Sequence, residues 1–241
     1  MQYKRLNKAI SETGYCSRRE ADALISGGKV KVNGTVAEVG VKVTIKDEIS
    51  VEGTIITKKT ENIYLAFNKP VGITCTTEVE IKGNIISFIN YPERIFPVGR
   101  LDKPSEGLIF LTNDGDIVNK ILRAGNNHEK EYIVSVNKRI TSQFIKKMTG
   151  GVPILNTITK KCRVRKLDDF TFSIILTQGL NRQIRRMCNY LDYEVKTLKR
   201  IRIMNISLGK LKVGEYRPFT ENELKELLLL IEDSSKTMEV I

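Results

Sequence analysis

One histidine, His128, stands in 241 residues, which removes most histidine-based acid–base and nucleophilic chemistry from consideration. The four cysteines, Cys16, Cys75, Cys162 and Cys188, lie far apart with no C-x-x-C pair. That spacing argues against a zinc site or a disulfide framework and fits a reducing cytoplasm. No stretch approaches the roughly 20 apolar residues needed to span a bilayer. The opening Met1-Gln2-Tyr3-Lys4-Arg5-Leu6-Asn7 lacks the apolar centre of a signal peptide. Internal repeats and low-complexity runs are absent as well.

What the chain does have is positive charge. Forty Lys and Arg against 28 Asp and Glu give a net +12 and a pI near 9.5. A charge of that sign and size favours a polyanionic partner, nucleic acid first and an anionic membrane surface second. The 41% hydrophobic and 28% charged content is an ordinary globular mix. The length is enough for one or two domains with a substantial core.

Residues 1–60 read as a small basic module. Leu6, Ala9, Ile10 and Tyr15 form a short helical stripe that stops near Gly14. Ser17-Arg18-Arg19-Glu20 matches a capping box, opening a helix through Ala21, Leu24 and Ile25 that ends at Gly27-Gly28. Lys29-Val30-Lys31-Val32 alternates like a strand, Asn33-Gly34 is a tight-turn signal, and short strands follow at Val41–Val43 and Ile49–Val51. Arg18 and Arg19 occupy the first turn of a helix, where the macrodipole disfavours cations by about 0.3–1 kcal/mol each. They can extend into solvent, or meet phosphates together with Lys4, Arg5, Lys8 and Lys29; the free amides of the same helix end favour phosphate.

The polar segment Thr57-Lys58-Lys59-Thr60-Glu61-Asn62 reads as a hinge, and residues 61–233 as a second domain. Its elements mix strand pairs with helices, which predicts an α+β fold. The last helix, Glu221 to Ile231, is capped by Thr220 with Glu223 three residues on, and Asp233 to Ile241 is expected to fray.

Three segments of this domain can carry chemistry. In Phe96-Pro97-Val98-Gly99-Arg100-Leu101-Asp102-Lys103-Pro104-Ser105-Glu106-Gly107-Leu108, structure breakers surround one Asp and one Arg just before an apolar strand, a common way to fix a reactive group. On spacing alone Asp102 reads as a turn-former or a surface partner of Lys103 before it reads as a catalyst. In His128-Glu129-Lys130-Glu131-Tyr132-Ile133-Val134-Ser135-Val136, alternation puts Tyr132, Val134 and Val136 on one face. Tyr132 is then a core residue with its hydroxyl at the rim, or a ring that stacks on an extruded base. In Gln178-Gly179-Leu180-Asn181-Arg182-Gln183-Ile184-Arg185-Arg186-Met187-Cys188, Asn181 is expected to cap a helix whose buried stripe is Ile184, Met187 and Leu191. Arg182, Arg185 and Arg186 again crowd a helix start, an arrangement better suited to phosphates or a buried carboxylate than to solvent.

Taken together, these segments resemble the RsuA-type family of ribosomal RNA pseudouridine synthases over nearly the whole chain. Residues 1–60 resemble its S4 RNA-binding module, Asn68-Lys69-Pro70-Val71-Gly72 its first catalytic motif, and Gly99-Arg100-Leu101-Asp102 its nucleophile motif. Lys130-Glu131-Tyr132 resembles its tyrosine motif and Asn181-Arg182-Gln183-Ile184-Arg185-Arg186-Met187 its arginine motif. The resemblance implies a catalytic domain with a mixed, mainly antiparallel sheet flanked by helices. It implies isomerisation of a uridine, with Asp102 as the essential carboxylate, Arg185 paired to it and Tyr132 packed on the flipped base. Arg100 would fill the space the base leaves, and Lys69, Arg182 and Arg186 would contact RNA. The expected partner is ribosomal RNA of the large subunit (23S), with tRNA as a possible additional target. A monomer working in the cytoplasm with no metal or organic cofactor is expected. A non-catalytic RNA-binding assembly factor, a nucleoside glycosylase or transglycosylase, and a purely structural basic protein are the competing readings. The first of these explains the charge and residues 1–60 but leaves the three segments idle.

Overall fold

The computed structural model describes residues 3–57, 61–78 and 80–234, so part of the expected hinge and all but the first two residues of the expected fraying tail lie outside the described residues. The chain divides into two compact units, Met1–Asn62 with Pro92–Arg94, and Ile63–Tyr91 with Ile95–Ile241.

In the first unit, helices Leu6–Glu12 and Arg18–Ser26 pack Leu6, Ile10, Ala21 and Ile25 against Val30, Val43, Ile49 and Val51. The capping box is complete: the Ser17 hydroxyl accepts from the Glu20 amide, and the Glu20 carboxylate accepts from the Ser17 amide. Asn33 and Gly34 take φ of 50° and 81°, the two left-handed residues that a tight hairpin turn requires. They join Val30–Val32 to Thr35–Val36 in a four-stranded sheet completed by Ile49–Val51 and Thr54–Ile55.

The second unit is built on a nine-stranded sheet. Its main path runs Arg163–Lys166, Thr171–Leu176, Lys130–Val136, Val195–Ile203, Glu106–Thr112, Tyr64–Lys69, Tyr216–Pro218. Every pairing is antiparallel except that of Val195–Ile203 with Glu106–Thr112, so the sheet is mixed and mainly antiparallel, with helices against it. Helices Ser142–Gly150 and Gln183–Tyr190 place Phe144, Met148, Ile184 and Met187 on Val134, Phe172, Ile174 and Leu198. On the opposite face, Ile117, Ile121, Leu227 and Ile231 cover Ala66, Leu108, Phe110 and Ile203. The strand Glu106–Thr112 is therefore buried on both faces, which explains its unbroken apolar run. Each fully buried side chain of the size of Phe110 contributes about 1.5–3 kcal/mol. The last helix, Glu221–Leu230, carries the second complete capping box, between Thr220 and Glu223.

Two expectations are corrected. The apolar run Ile63–Phe67 reads as a strand stopped by Asn68-Lys69-Pro70, whereas the strand Tyr64–Lys69 runs on through Asn68 and Lys69. Asn181 does not cap the helix after it: Gln183–Tyr190 starts two residues later, behind Arg182 at φ 50°. Arg186 holds Asn181 through its carbonyl and its side-chain oxygen at 3.0 and 3.2 Å, which occupies the group that was to cap.

Candidate active site

The loop carrying Asp102 is held from three sides. Its own turn closes where the Ser105 amide donates to the Asp102 carbonyl at 2.9 Å, and the Gly72 amide donates to the Lys103 carbonyl at 2.8 Å. Buried Cys75 donates its thiol to the Leu101 carbonyl at 3.3 Å and receives the Leu101 amide at 3.4 Å. Burial pushes the Cys75 thiol up from its ordinary pKa, so it serves here as a neutral brace. Two glycines make the geometry possible. Gly99 takes φ +76°, and a Cβ there would lie 2.7 Å from a Leu122 methyl. At Gly107, φ is +109° and a Cβ would sit 2.3 Å from the Arg200 carbonyl oxygen. Only glycine lets the end of the Asp102 loop enter the sheet against Val195–Ile203.

A cavity of about 960 Å³ opens over this loop and is lined by Arg100, Asp102, Tyr132, Arg182 and Arg185, all expected site residues. That is the upper end of the range typical of ligand sites, roughly 300–1,000 Å³. The three segments thus converge, although they come from a loop, a strand and a helix.

Arg185 departs from expectation in its partners. It donates to the Pro104 carbonyl at 2.9 Å, the Ser105 hydroxyl at 3.1 Å and the Val195 carbonyl at 3.3 Å, while its Nε is buried without a partner. No ion pair to Asp102 is closed among the described residues. Burial and then the neighbouring Arg182 lower the Arg185 pKa, with Asp102 acting the other way. The carboxylate is thus near enough to feel the guanidinium, and the guanidinium clamps the carboxylate's loop.

Of the other expected residues, Arg182 and Arg100 are exposed at the cavity and free to reach an RNA backbone. Arg186 is exposed but does not line the cavity, and its guanidinium is engaged with Asn181. Lys69 is corrected outright: it is fully buried, donating to the Pro70 and Ile73 carbonyls at 2.8 and 2.9 Å. From there it cannot meet a phosphate; it staples the segment that braces the Asp102 loop. Burial lowers its pKa. In the first unit, Arg18 and Arg19 are exposed at the start of Arg18–Ser26, and Arg5 is exposed as well. Lys4 and Lys8 both pair with Glu12, and Lys29 with Glu52.

Two cavity residues escaped the sequence reading. Arg200 is 5% exposed and lies directly across the sheet from Tyr132, its guanidinium carbon 6.0 Å from the ring centroid. Lys130 is 7% exposed, with its ammonium on the His128 carbonyl at 3.1 Å, and burial followed by the nearby Arg200 brings its pKa down to about 8. A signal for Arg200 did exist: two residues after the buried Leu198 in a strand, it shares that residue's face. Among the described residues no group of acidic, His or Cys side chains is arranged to hold a metal ion, and no helix is long and apolar enough to cross a membrane.

Comparison with known proteins gives two family matches: RNA pseudouridylate synthase over residues 63–190 and S4 domain over residues 4–49. The chain is 57% identical over 233 residues to the dual-specificity RNA pseudouridine synthase RluF of Salmonella typhi, covering 96% of this chain and 81% of that one. It is 58% identical to the RluF of Escherichia coli strain K12, covering 96% and 80%. Identity is 35% to the ribosomal large subunit pseudouridine synthase B of Bacillus subtilis, covering 94% and 96%. Among solved structures, a crystal structure of a pseudouridylate synthase superposes with a TM-score of 0.69 at 30% identity, covering 92% of this chain and 99% of that one.

Proposed function

This chain belongs to the RNA pseudouridylate synthase family and isomerises uridine in RNA, and from that premise we propose that Asp102 is the essential carboxylate, working with Tyr132 and Arg185. The observation that carries the proposal is the convergence of those three side chains on one cavity around a loop that hydrogen bonds hold from several sides.

The chemistry suits the residues. The N1–C1′ bond breaks, the uracil turns, and C5 joins C1′, so the product has the mass of the substrate. A carboxylate can hold the ribosyl fragment or stabilise its electron-poor C1′. Arg185 keeps the Asp102 loop fixed and places a positive charge in the same cavity. Tyr132, which lines the cavity, is assigned to packing on the base and to assisting loss of the C5 proton. Taking a base out of its stack costs a few kcal/mol, and Arg100, exposed at the cavity mouth, fills the vacated space.

The substrate we propose is large-subunit (23S) ribosomal RNA, with tRNA as a second class. The names of the relatives support this: one is a large-subunit enzyme, and others are called dual-specificity. The experiment is tritium release from RNA labelled at uridine C5, with unmodified large-subunit rRNA, small-subunit rRNA and tRNA in parallel. The reading expects fastest release from large-subunit rRNA; release from small-subunit rRNA alone would overturn the assignment.

Residues 1–60 supply RNA affinity, through Arg18 and Arg19 first because they are exposed and have no acidic partner among the described residues. Arg182 does the same at the cavity. Each phosphate contact removed lowers the slope of log K against log salt by about 0.7–0.9. Arg18→Gln with Arg19→Gln should flatten the slope by about twice that amount. An unchanged slope takes both arginines off the RNA. The protein is further proposed to act as a monomer in the cytoplasm, where its free cysteines stay reduced.

A further inference from the structure

Two buried cations stand beside Tyr132. Arg200 donates through Nε to the Leu108 carbonyl at 2.6 Å, and its Nη2 is buried with no hydrogen-bond partner. Lys130 gives one N–H to the His128 carbonyl. Among the described residues neither pairs with a carboxylate. Strand register puts both next to the ring: Lys130 lies two residues before Tyr132 on the same face, and Arg200 is its cross-strand partner. All three line the cavity that holds Asp102.

Structural duties account for only part of this. The Nε bond ties two strands together, and the ring contact, at the 6 Å limit of a cation–π interaction, draws on the charge of the guanidinium and uses none of its N–H donors. The Nη2 donor is left over. A buried cation without a counter-charge is unfavourable, and two together are more so. The mutual repulsion is visible in Lys130, which Arg200 helps to hold near pKa 8. A negative charge arriving beside the pair would relieve that cost.

The reaction generates that charge. When N1–C1′ breaks, the bonding electron pair leaves with the uracil and spreads over N1, O2 and O4. Resting on the uridine-isomerisation reading above, we propose that Arg200 is a further catalytic residue that holds the detached uracil as an anion, donating a hydrogen bond to a ring carbonyl, with Lys130 as a second positive charge. C5 of this anion then bonds to C1′, the C5 proton passes to a base, and one proton returns to N1, so that atoms and charge balance. A fixed donor for a charge that exists only during reaction stabilises the transition state over the bound substrate. It also keeps the uracil in place while it turns, so that the base is rejoined and not lost.

Fluorine at C5 withdraws electrons, so 5-fluorouracil departs with its charge already stabilised and needs less help from the protein. The test compares single-turnover consumption of uridine and of 5-fluorouridine in otherwise identical large-subunit rRNA transcripts, with wild type and Arg200→Gln, scored in nuclease digests. The expected result is about a 100-fold loss on uridine, the size of one removed oxyanion donor, a loss on 5-fluorouridine at least several-fold smaller, and an RNA Kd unchanged. Because each variant is compared with itself on two RNAs, partial misfolding cancels from the ratio. Should Arg200→Gln fail to fold by circular dichroism, Arg200→Lys, which keeps the charge and loses the fork, carries the same comparison and should show a smaller loss with the same bias. Equal losses on both RNAs, or no loss on either, overturn the inference. A wild type that converts neither RNA, or an Asp102→Asn variant as fast as wild type, sinks the underlying reading instead.

Discussion

Arg185→Met is expected to fold like the wild type and to lose roughly 10²–10³-fold in single-turnover rate, the size of one lost electrostatic contact in a catalytic site. The fold should survive because the helix Gln183–Tyr190 is anchored by Ile184, Met187 and Cys188, which the substitution leaves alone. Met also keeps most of the length and apolar body of the Arg stem. What disappears is the set of donors to the Pro104 carbonyl and the Ser105 hydroxyl, which fix the far end of the Asp102 loop, and the positive charge that acts on Asp102. A loop loosened by about 1 Å is enough to cost 10²-fold in an aligned reaction. Circular dichroism and a thermal melt check the fold, and rapid-quench single-turnover kinetics check the rate. A folded variant within a few-fold of wild type would take Arg185 out of the site. Arg185→Lys should recover part of the charge effect and little of the clamp, because an ammonium cannot reproduce the planar fork.

The sequence was most legible where structure is local. Ser17 with Glu20 and Thr220 with Glu223 announce helix starts because a capping box is made within four residues. Asn33-Gly34 announces a turn because few other residues accept two positive φ angles in a row. The alternation around Tyr132 is likewise a property of one strand, and it correctly puts Tyr132, Val134 and Val136 on the core side. The Asp102, Tyr132 and Arg185 segments were legible as a set because each carries a distinctive motif, and the fold brings their side chains to one cavity.

Legibility fails where strand register decides. Arg200 meets Tyr132 on one side and Gly107 on the other only because Val195–Ile203 lies between Lys130–Val136 and Glu106–Thr112. No local pattern says which strands become neighbours. Lys69 was expected to contact RNA from the motif it stands in; lysine is almost never fully buried, and two carbonyls of the following turn make it the exception. Arg182 was read as the first residue of a helix and stands instead in a left-handed conformation before it. Asn is the commoner occupant of that region, but Asn181 is held by Arg186. For Lys69 the cause is plain: its ammonium was given an RNA partner, and the fold supplies one from its own backbone.

Asp102→Asn is the substitution with the largest expected effect. It preserves size and shape, and the Asp102 carboxylate makes no hydrogen bond or ion pair among the described residues, so the cavity should keep its form. The amide, however, can neither attack carbon nor carry the negative charge that steadies C1′. Loss of an essential reacting group typically removes roughly 10⁴-fold or more of the rate. The decisive measurement is tritium release from large-subunit rRNA labelled at uridine C5, wild type against Asp102→Asn, with RNA binding measured on the same samples. Steady release by the wild type, with none above background from a variant that binds RNA equally well, is the predicted result. Release by the folded variant at a rate within about tenfold of wild type, far short of the loss expected for an essential group, would contradict the assignment of Asp102.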